Sequence, residues 1–344
     1  MRADLALIGF GHVGRRFARL LDERRDWLSL DYDLDCRIVA IATRRHGSTT
    51  NPGGIDAVAL AQQLDTDPSA SLGDAGDSFA AIRVLADSPA ELKIVVETTL
   101  LDISAGQPAI DHVRAALQAG CHVVTANKGP AAFAYEELSA LADDRGLSFL
   151  FEGAVMDGIP VFNLARETLP AVEVRGFRGV INSTTNHILT AIEDGESFDS
   201  ALARMQAEGI AEADPSLDVD GWDAAAKTSA LANVLLRARM TPQAVEREGI
   251  DHGTARLAMA AKARGNRVRL VASARRTPGG FSASVRPVEL PESDLLAGLR
   301  GMANALVLET DLLGDLAICQ LSGGLTMTAY ALLTDVVTVR RRGR

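Results

Sequence analysis

Leu5-Ala-Leu-Ile-Gly-Phe-Gly-His-Val-Gly-Arg-Arg-Phe-Ala-Arg-Leu-Leu21 is the stretch on which the fold turns. A short apolar run reads as a strand and leads into Gly9, Gly11 and Gly14 at G-x-G-x-x-G spacing. Val13, Phe17, Leu20 and Leu21 then recur at helical period. The first glycine of such a loop permits a tight turn, the second lets the backbone approach a pyrophosphate, and the third allows helix and strand to pack closely. The amides at the start of the helix then face the phosphates. A glycine pattern alone is weak. Framed by a strand and a helix, it predicts a dinucleotide site around Gly9, Phe10, Gly11, Val13 and Gly14.

The next strand, Arg37-Ile-Val-Ala-Ile-Ala42, runs into Thr43, Arg44, Arg45 and His46. An NAD site commonly places Asp or Glu here to bind the ribose 2′-hydroxyl. Asp31, Asp33 and Asp35 lie on the wrong side of the strand for that role. Arginines suit a 2′-phosphate through paired hydrogen bonds, so NADP(H) is favoured over NAD(H). The competing reading is two solvated loop arginines.

Residues 46–90 are rich in Gly, Ser, Asp and Pro, with a helical stretch near Ile55–Leu64, and read as an excursion with little chemistry. Leu92–Glu97 is a buried-type strand, Pro108–Ala119 a helix and Cys121–Ala126 another strand, and after one more helix Leu147–Phe151 closes the pattern. Alternating strands and helices predict a parallel, doubly wound sheet, which binds ligands beyond the carboxyl ends of its strands. Thr98, Thr99, Asn127 and Lys128 fall at such ends. Lys128, in a polar turn before Gly129-Pro130, reads equally as a solvated loop charge or a site residue.

After Phe151 the pattern changes. Val172, Val174 and Phe177 alternate with Glu173 and Arg175, and Phe281, Ala283 and Val285 also alternate. Helices are expected at Asn186–Glu193, Phe198–Glu208, Trp222–Leu236 and Gly253–Arg264. The last segment, from Leu321, is a glycine turn feeding a helix that packs back on the first domain.

The chain has 344 residues and a net charge near −10. That balance argues against a phosphate-neutralising nucleic-acid face. Cys36, Cys121 and Cys319 are scattered and form no CxxC, which fits reduced thiols in a cytoplasmic protein. The N-terminus carries no signal-peptide pattern, and no apolar run reaches the roughly 20 residues of a membrane span.

One acidic stretch remains, from Gly209 to Lys227. It holds Glu212, Asp214, Asp218, Asp220 and Asp223 and runs into an Ala-rich helix in which Asp223 and Lys227 stand at i and i+4. It is either a solvated loop with a weak surface salt bridge or a pocket of carboxylates for an ammonium substrate beside a proton-donating lysine. His12, His122, His187, Trp222 and Phe198 read as structural.

Taken together, Gly9–Gly14, Thr125-Ala-Asn-Lys128, Glu152–Pro160, Asn182-Ser-Thr-Thr-Asn186, Gly209–Lys227 and Gly323–Asp335 resemble a homoserine dehydrogenase without an aspartokinase or C-terminal regulatory domain. The resemblance implies an α/β fold: an N-terminal doubly wound parallel Rossmann domain (1–150, completed by a C-terminal helix at about 325–344) plus an α+β substrate and dimerisation domain (151–324). It also implies reversible, NAD(P)-dependent reduction of L-aspartate 4-semialdehyde to L-homoserine, in threonine and methionine biosynthesis, by a homodimer. Lys227 and Lys128 then match the catalytic lysines. Glu212, Asp218, Asp223 and Thr184 match substrate-binding residues. Gly324, with Thr98, Thr99 and Lys128, matches the cofactor site. Glu152 with Val155, Asp157 and Ile159 matches a site for Na+ or K+. With the resemblance in view, the acidic stretch reads as the substrate pocket and its acid, with Asp214 and Asp220 only shaping the turn. Two alternatives stand beside it: another two-domain reductase of an amino-acid aldehyde or imine, and a non-catalytic NADP(H) sensor.

Overall fold

The computed structural model describes residues 1–208, 211 and 214–343. The chain divides into two compact units. The first comprises 1–130, 134–160 and 324–344, and the second 131–133 and 161–323. The first unit therefore runs on past residue 150, to Pro160.

Among the described residues, the first unit builds one seven-stranded sheet. Its strands are β1 (Arg2–Ile8), β2 (Asp35–Thr43), β3 (Gly47–Thr50), β4 (Gly73–Asp74), β5 (Leu92–Glu97), β6 (His122–Thr125) and β7 (Phe149–Leu150), in the order β4-β3-β2-β1-β5-β6-β7. The five strands from β2 to β7 through β1 are parallel. β1 is buried from Ala3 to Ile8, as expected for a strand covered on both faces. The sheet is not parallel throughout: β3 runs antiparallel to β2. Only Arg44–His46 separate these two strands, enough for a hairpin and far too short for a parallel crossover. The segment 46–90 is also more ordered than its composition suggests. It carries the helices Ala57–Thr66 and Ser78–Ala86, each capped by an aspartate, Asp56 or Asp77, that accepts an amide from the first turn. The final helix, Leu325–Arg342, buries Ala329, Leu332, Leu333, Val336 and Val339 in the same core as Leu5, Leu7, Phe17 and Ile94.

Among the described residues, the second unit builds a six-stranded sheet of β8 (Val174–Val180), β9 (Glu246–Arg247), β10 (Asn266–Thr277), β11 (Gly280–Pro291), β12 (Asn304–Thr310) and β13 (Asp315–Gln320), ordered β13-β12-β8-β10-β11-β9. All pairings are antiparallel except β9 with β11. Its longer helices are Ser183–Glu193, Phe198–Ala207, Trp222–Leu231 and His252–Ala263. The third of these continues to Leu236 as a wider π-helical turn. Within this unit Arg269 and Glu193, both fully buried, pair at 2.6 Å, and the carbonyls of Leu299, Ala297 and Val268 also accept from the guanidinium. This satisfies a charge that would otherwise be costly to bury. Among the described residues no helix is long and apolar enough to cross a membrane.

Candidate active site

In the first unit, the turn after β1 has the geometry its glycines suggest. Gly9 sits at φ +95°, and a Cβ there would come within 2.7 Å of the Thr98 backbone. A Cβ on Gly14 would meet the Gly9 carbonyl at 2.8 Å. Gly11 differs: apart from its own chain neighbours, no protein atom lies within 4 Å of the position its Cβ would take. Protein packing therefore does not demand glycine at 11, whereas close approach of a ligand's phosphates would. The helix His12–Glu23 starts there with no side-chain cap and no acid in its first turn, leaving its amides to an anion. These features fit a dinucleotide. Phe10 is buried in the core, and Val13 packs against it. Thr98, at the end of β5, donates from its hydroxyl to the Gly9 carbonyl at 2.9 Å and ties the turn to the next strand. Gly324 caps the final helix of the same unit.

Arg44 and Arg45 lie exposed in the β2–β3 turn. Thr43 is engaged by the hairpin itself: its hydroxyl donates to the Gly47 carbonyl and accepts from the His46 amide. Asp35 begins β2, and Asp33 pairs with the N-terminal amine and Arg340, so these acids belong to the opposite end of the strand.

Lys128 is not in a loop. β6 ends at Thr125, and Lys128 is the first residue of the helix Lys128–Phe133, which Asn127 caps by accepting the Gly129 amide at 2.8 Å. Behind it lies a buried group the sequence does not single out, Glu97. Its Oε1 accepts the amide of Thr99 at 3.0 Å and the Thr99 hydroxyl, and Thr125 Oγ1 stands 3.0 Å from its Oε2.

Of the residues matched to a cation site, Glu152 is buried at the start of the 3₁₀ turn Glu152–Ala154, and Val155, Asp157 and Ile159 follow it in the chain. Its amide donates to Asp335 at 2.8 Å. Asp157 takes up φ +51°, and its carboxylate accepts from Thr328 at 3.2 Å. Carboxylate and backbone oxygens, the groups these residues offer, are the hard donors that alkali-metal ions prefer.

The second unit gathers the acidic stretch with the Asn182 segment. Asn182 caps the helix Ser183–Glu193 by accepting the Thr185 amide at 2.9 Å. Its amide nitrogen donates to Asp218 Oδ1 at 2.6 Å and to Asp223 Oδ2 at 2.8 Å. Asp218 sits in the short helix Ser216–Val219, and Gly221, at φ +80°, turns the chain into Trp222–Leu231, which carries Asp223 and Lys227 one turn apart. Lys227 Nζ lies 2.8 Å from Asp223 Oδ2 and donates to the Ile181 carbonyl at 2.9 Å. The i,i+4 ion pair therefore does form, but about 15% exposed on each side rather than on an open surface. Burial raises the Asp218 pKa and the neighbouring Asp223 charge raises it further, against hydrogen bonds from Asn182 and Thr184 and the charge of Lys227. Two carboxylates sharing one amide repel each other, and an incoming ammonium relieves that repulsion. Glu212 lies outside the described residues. Asp214 accepts the Ser216 amide at 3.1 Å, a turn-shaping bond, whereas Asp220 contributes its carbonyl to Arg247.

Asn182 is the residue that sequence reasoning left unassigned. The only local signal was that of a helix cap, an Asn before Ser-Thr-Thr. Of the residues read as structural, Trp222 lies under the Arg247 guanidinium, 3.8 Å from its centroid, and His122 accepts the Ser148 amide. His187 is half-buried, its Nδ1 has no hydrogen-bond partner among the described residues, and burial lowers its pKa.

Comparison with known proteins agrees over both units. Residues 160–337 match the family model for homoserine dehydrogenase, and residues 9–152 match that for the homoserine dehydrogenase NAD-binding domain. The chain is 37% identical over 340 residues to an NAD(+)-dependent homoserine dehydrogenase of Pseudomonas canavaninivorans, covering 98% of this chain and 96% of that protein. It superposes on the crystal structure of a homoserine dehydrogenase from Thiobacillus denitrificans with a TM-score of 0.83 at 30% identity, covering 99% of this chain and 74% of that one. A hyperthermophilic archaeal homoserine dehydrogenase in complex with NADPH gives a TM-score of 0.79 at 27% identity, with 98% of each chain covered.

Proposed function

The chain belongs to the homoserine dehydrogenase family of oxidoreductases, which act on a CH–OH group with a nicotinamide cofactor, and from that premise we propose that it interconverts L-aspartate 4-semialdehyde and L-homoserine with lysine acid catalysis, in threonine and methionine biosynthesis. The observation that carries this reading is the half-buried set of Asp218, Asp223, Asn182 and Lys227. It pairs an ammonium-binding acid cluster with a proton donor.

A bound nicotinamide cofactor supplies the hydride. The chain's own residues do the rest. Asp218 and Asp223, joined by Glu212, bind the substrate ammonium, and Thr184 supports its placement. Negative charge develops on the aldehyde oxygen during reduction, and an ammonium within hydrogen-bond reach stabilises it and delivers a proton. Lys227 is that donor, and Lys128 polarises the carbonyl or shuttles the proton. NADP(H) is preferred over NAD(H), because Arg44 and Arg45 stand exposed where an NAD site would present a carboxylate. A Na+ or K+ ion at Glu152, Val155, Asp157 and Ile159 would order that turn. A cytoplasmic homodimer completes the proposal; light scattering of the purified protein measures the assembly.

The test is homoserine oxidation followed with NADP+ and with NAD+, in the native protein and in Lys227→Ala. The native protein turns over homoserine. Lys227→Ala loses about 10²–10⁴-fold in kcat while still binding cofactor, the usual worth of general acid catalysis. Cofactor binding without turnover of homoserine would favour a non-catalytic sensor. Turnover of another amino-acid aldehyde or imine, but not of homoserine, would favour a different reductase.

A further inference from the structure

Glu97 is a fully buried carboxylate at the carboxyl end of β5, and neither the cofactor turn nor the acid cluster uses it. A buried carboxylate is an expensive choice, and well-packed apolar residues usually serve stability as well or better. What it contacts points elsewhere. Its two oxygens hold Thr99 and Thr125, the first through both amide and hydroxyl. The Thr125 hydroxyl accepts the Asn127 amide at 2.9 Å. The Asn127 side chain donates to the Thr99 carbonyl at 3.0 Å and lies 3.2 Å from that of Leu100, and its Oδ1 caps the helix at Gly129. The next residue after Asn127 is Lys128.

We infer that Glu97 is a positioning residue for Lys128: through Thr99 and Thr125 it fixes Asn127, and Asn127 sets the first turn of the helix on which Lys128 stands. The inference rests on the reading of Lys128 as the second lysine of the reaction. It goes beyond that reading by placing the origin of the lysine's alignment one layer behind it, in a residue that touches neither substrate nor cofactor. His112 faces the same carboxylate, with Nδ1 3.7 Å from Glu97 Oε1 and beyond hydrogen-bond reach.

The experiment compares Glu97→Gln and Thr125→Val, each alone and each combined with Lys128→Ala. Glu97→Gln keeps the shape but turns one acceptor into a donor, and Thr125→Val removes the hydroxyl that meets Glu97 and accepts the Asn127 amide. Each single variant should lower kcat for homoserine oxidation about tenfold with the KM for NADP+ within about twofold, since misplacing a reacting group by an ångström or less costs rate rather than ground-state binding. On the Lys128→Ala background the further loss should fall below about twofold, because residues acting as one unit are not additive. A full tenfold loss on that background, or unchanged kcat in the single variants, overturns the inference. If Glu97→Gln does not fold, Thr125→Val decides by the same two criteria. Should Lys128→Ala itself keep native kcat, the role of Lys128 falls, and that result is separable from any change at Glu97.

Discussion

At Arg44 and Arg45 two exposed guanidiniums occupy the turn that follows β2, and the threonine before them is committed to the hairpin. A guanidinium can grip a 2′-phosphate with paired charge-assisted bonds but gains little from a 2′-hydroxyl. Arg44→Ala should therefore weaken NADP+ by about tenfold or more and leave NAD+ nearly unchanged, as a lost bond to a charged group is worth about 1.5–3 kcal/mol. Fluorescence titration with both cofactors measures this, and equal losses would reject 2′-phosphate recognition. The related protein described as NAD(+)-dependent gives the opposite outcome its weight. The place of these arginines could be read from sequence because it is local, the end of a strand. Asn182 could not, because its partners Asp218 and Asp223 are 36 and 41 residues away.

Elements with strong local signals were legible and those without were not. β1, β2, β5 and β6 announce themselves by continuous apolar runs, and the helices Phe198–Ala207 and His252–Ala263 by their periodicity. β3 and β4 are short and built of Gly, Ser, Thr and Asp, which carry no strand signature. The Ser78–Ala86 helix was hidden by its flanks, although Asp77 marks its start and Ala81, Ile82 and Leu85 its buried face. One element-level consequence concerns acid. Asp4 of β1 is nearly fully buried, held by Arg2 and Ser88 and, from β2, by Arg37. Burial alone would raise its pKa, but the hydrogen bonds from Arg2, Ser88 and Arg37 outweigh that and bring it from 3.8 down to about 2. A depressed carboxylate contributes stability above its unfolded pKa and loses it as pH falls through the folded one. Urea midpoints should thus drop between pH 4 and pH 2 in the native protein, and less so in Asp4→Asn, which starts lower. Parallel curves for the two would exclude Asp4 as the acid-sensitive tie between β1 and β2.

At the scale of the molecule, the two ligands are assigned to different units. The glycine turn, the β2 arginines and Lys128 lie in the first, and Asn182, Asp218, Asp223 and Lys227 in the second. The division was visible in sequence as the change from alternating strands and helices to amphipathic strands, but the return of the final helix to the first unit rests on its buried face, Ala329 to Val339. Ligand binding stabilises whatever it holds folded, by about 2.7 kcal/mol at a hundredfold excess over Kd. Gly11→Val gives a sharp handle on this. Apart from its chain neighbours no protein atom lies within 4 Å of the added Cβ and the φ of −75° is ordinary, so the apo protein should melt close to the native one. The valine would project where the phosphates must approach, so NADP+ should no longer raise the melting temperature. Asp223→Ala should behave in the reverse sense: NADP+ still stabilises, and homoserine added on top of NADP+ no longer does. Scanning calorimetry on the three proteins, with and without each ligand, reads all of these shifts. An NADP+ shift that survives Gly11→Val would mean that the glycine turn is not where the phosphates bind. A homoserine shift that survives Asp223→Ala would move substrate recognition away from the acid cluster.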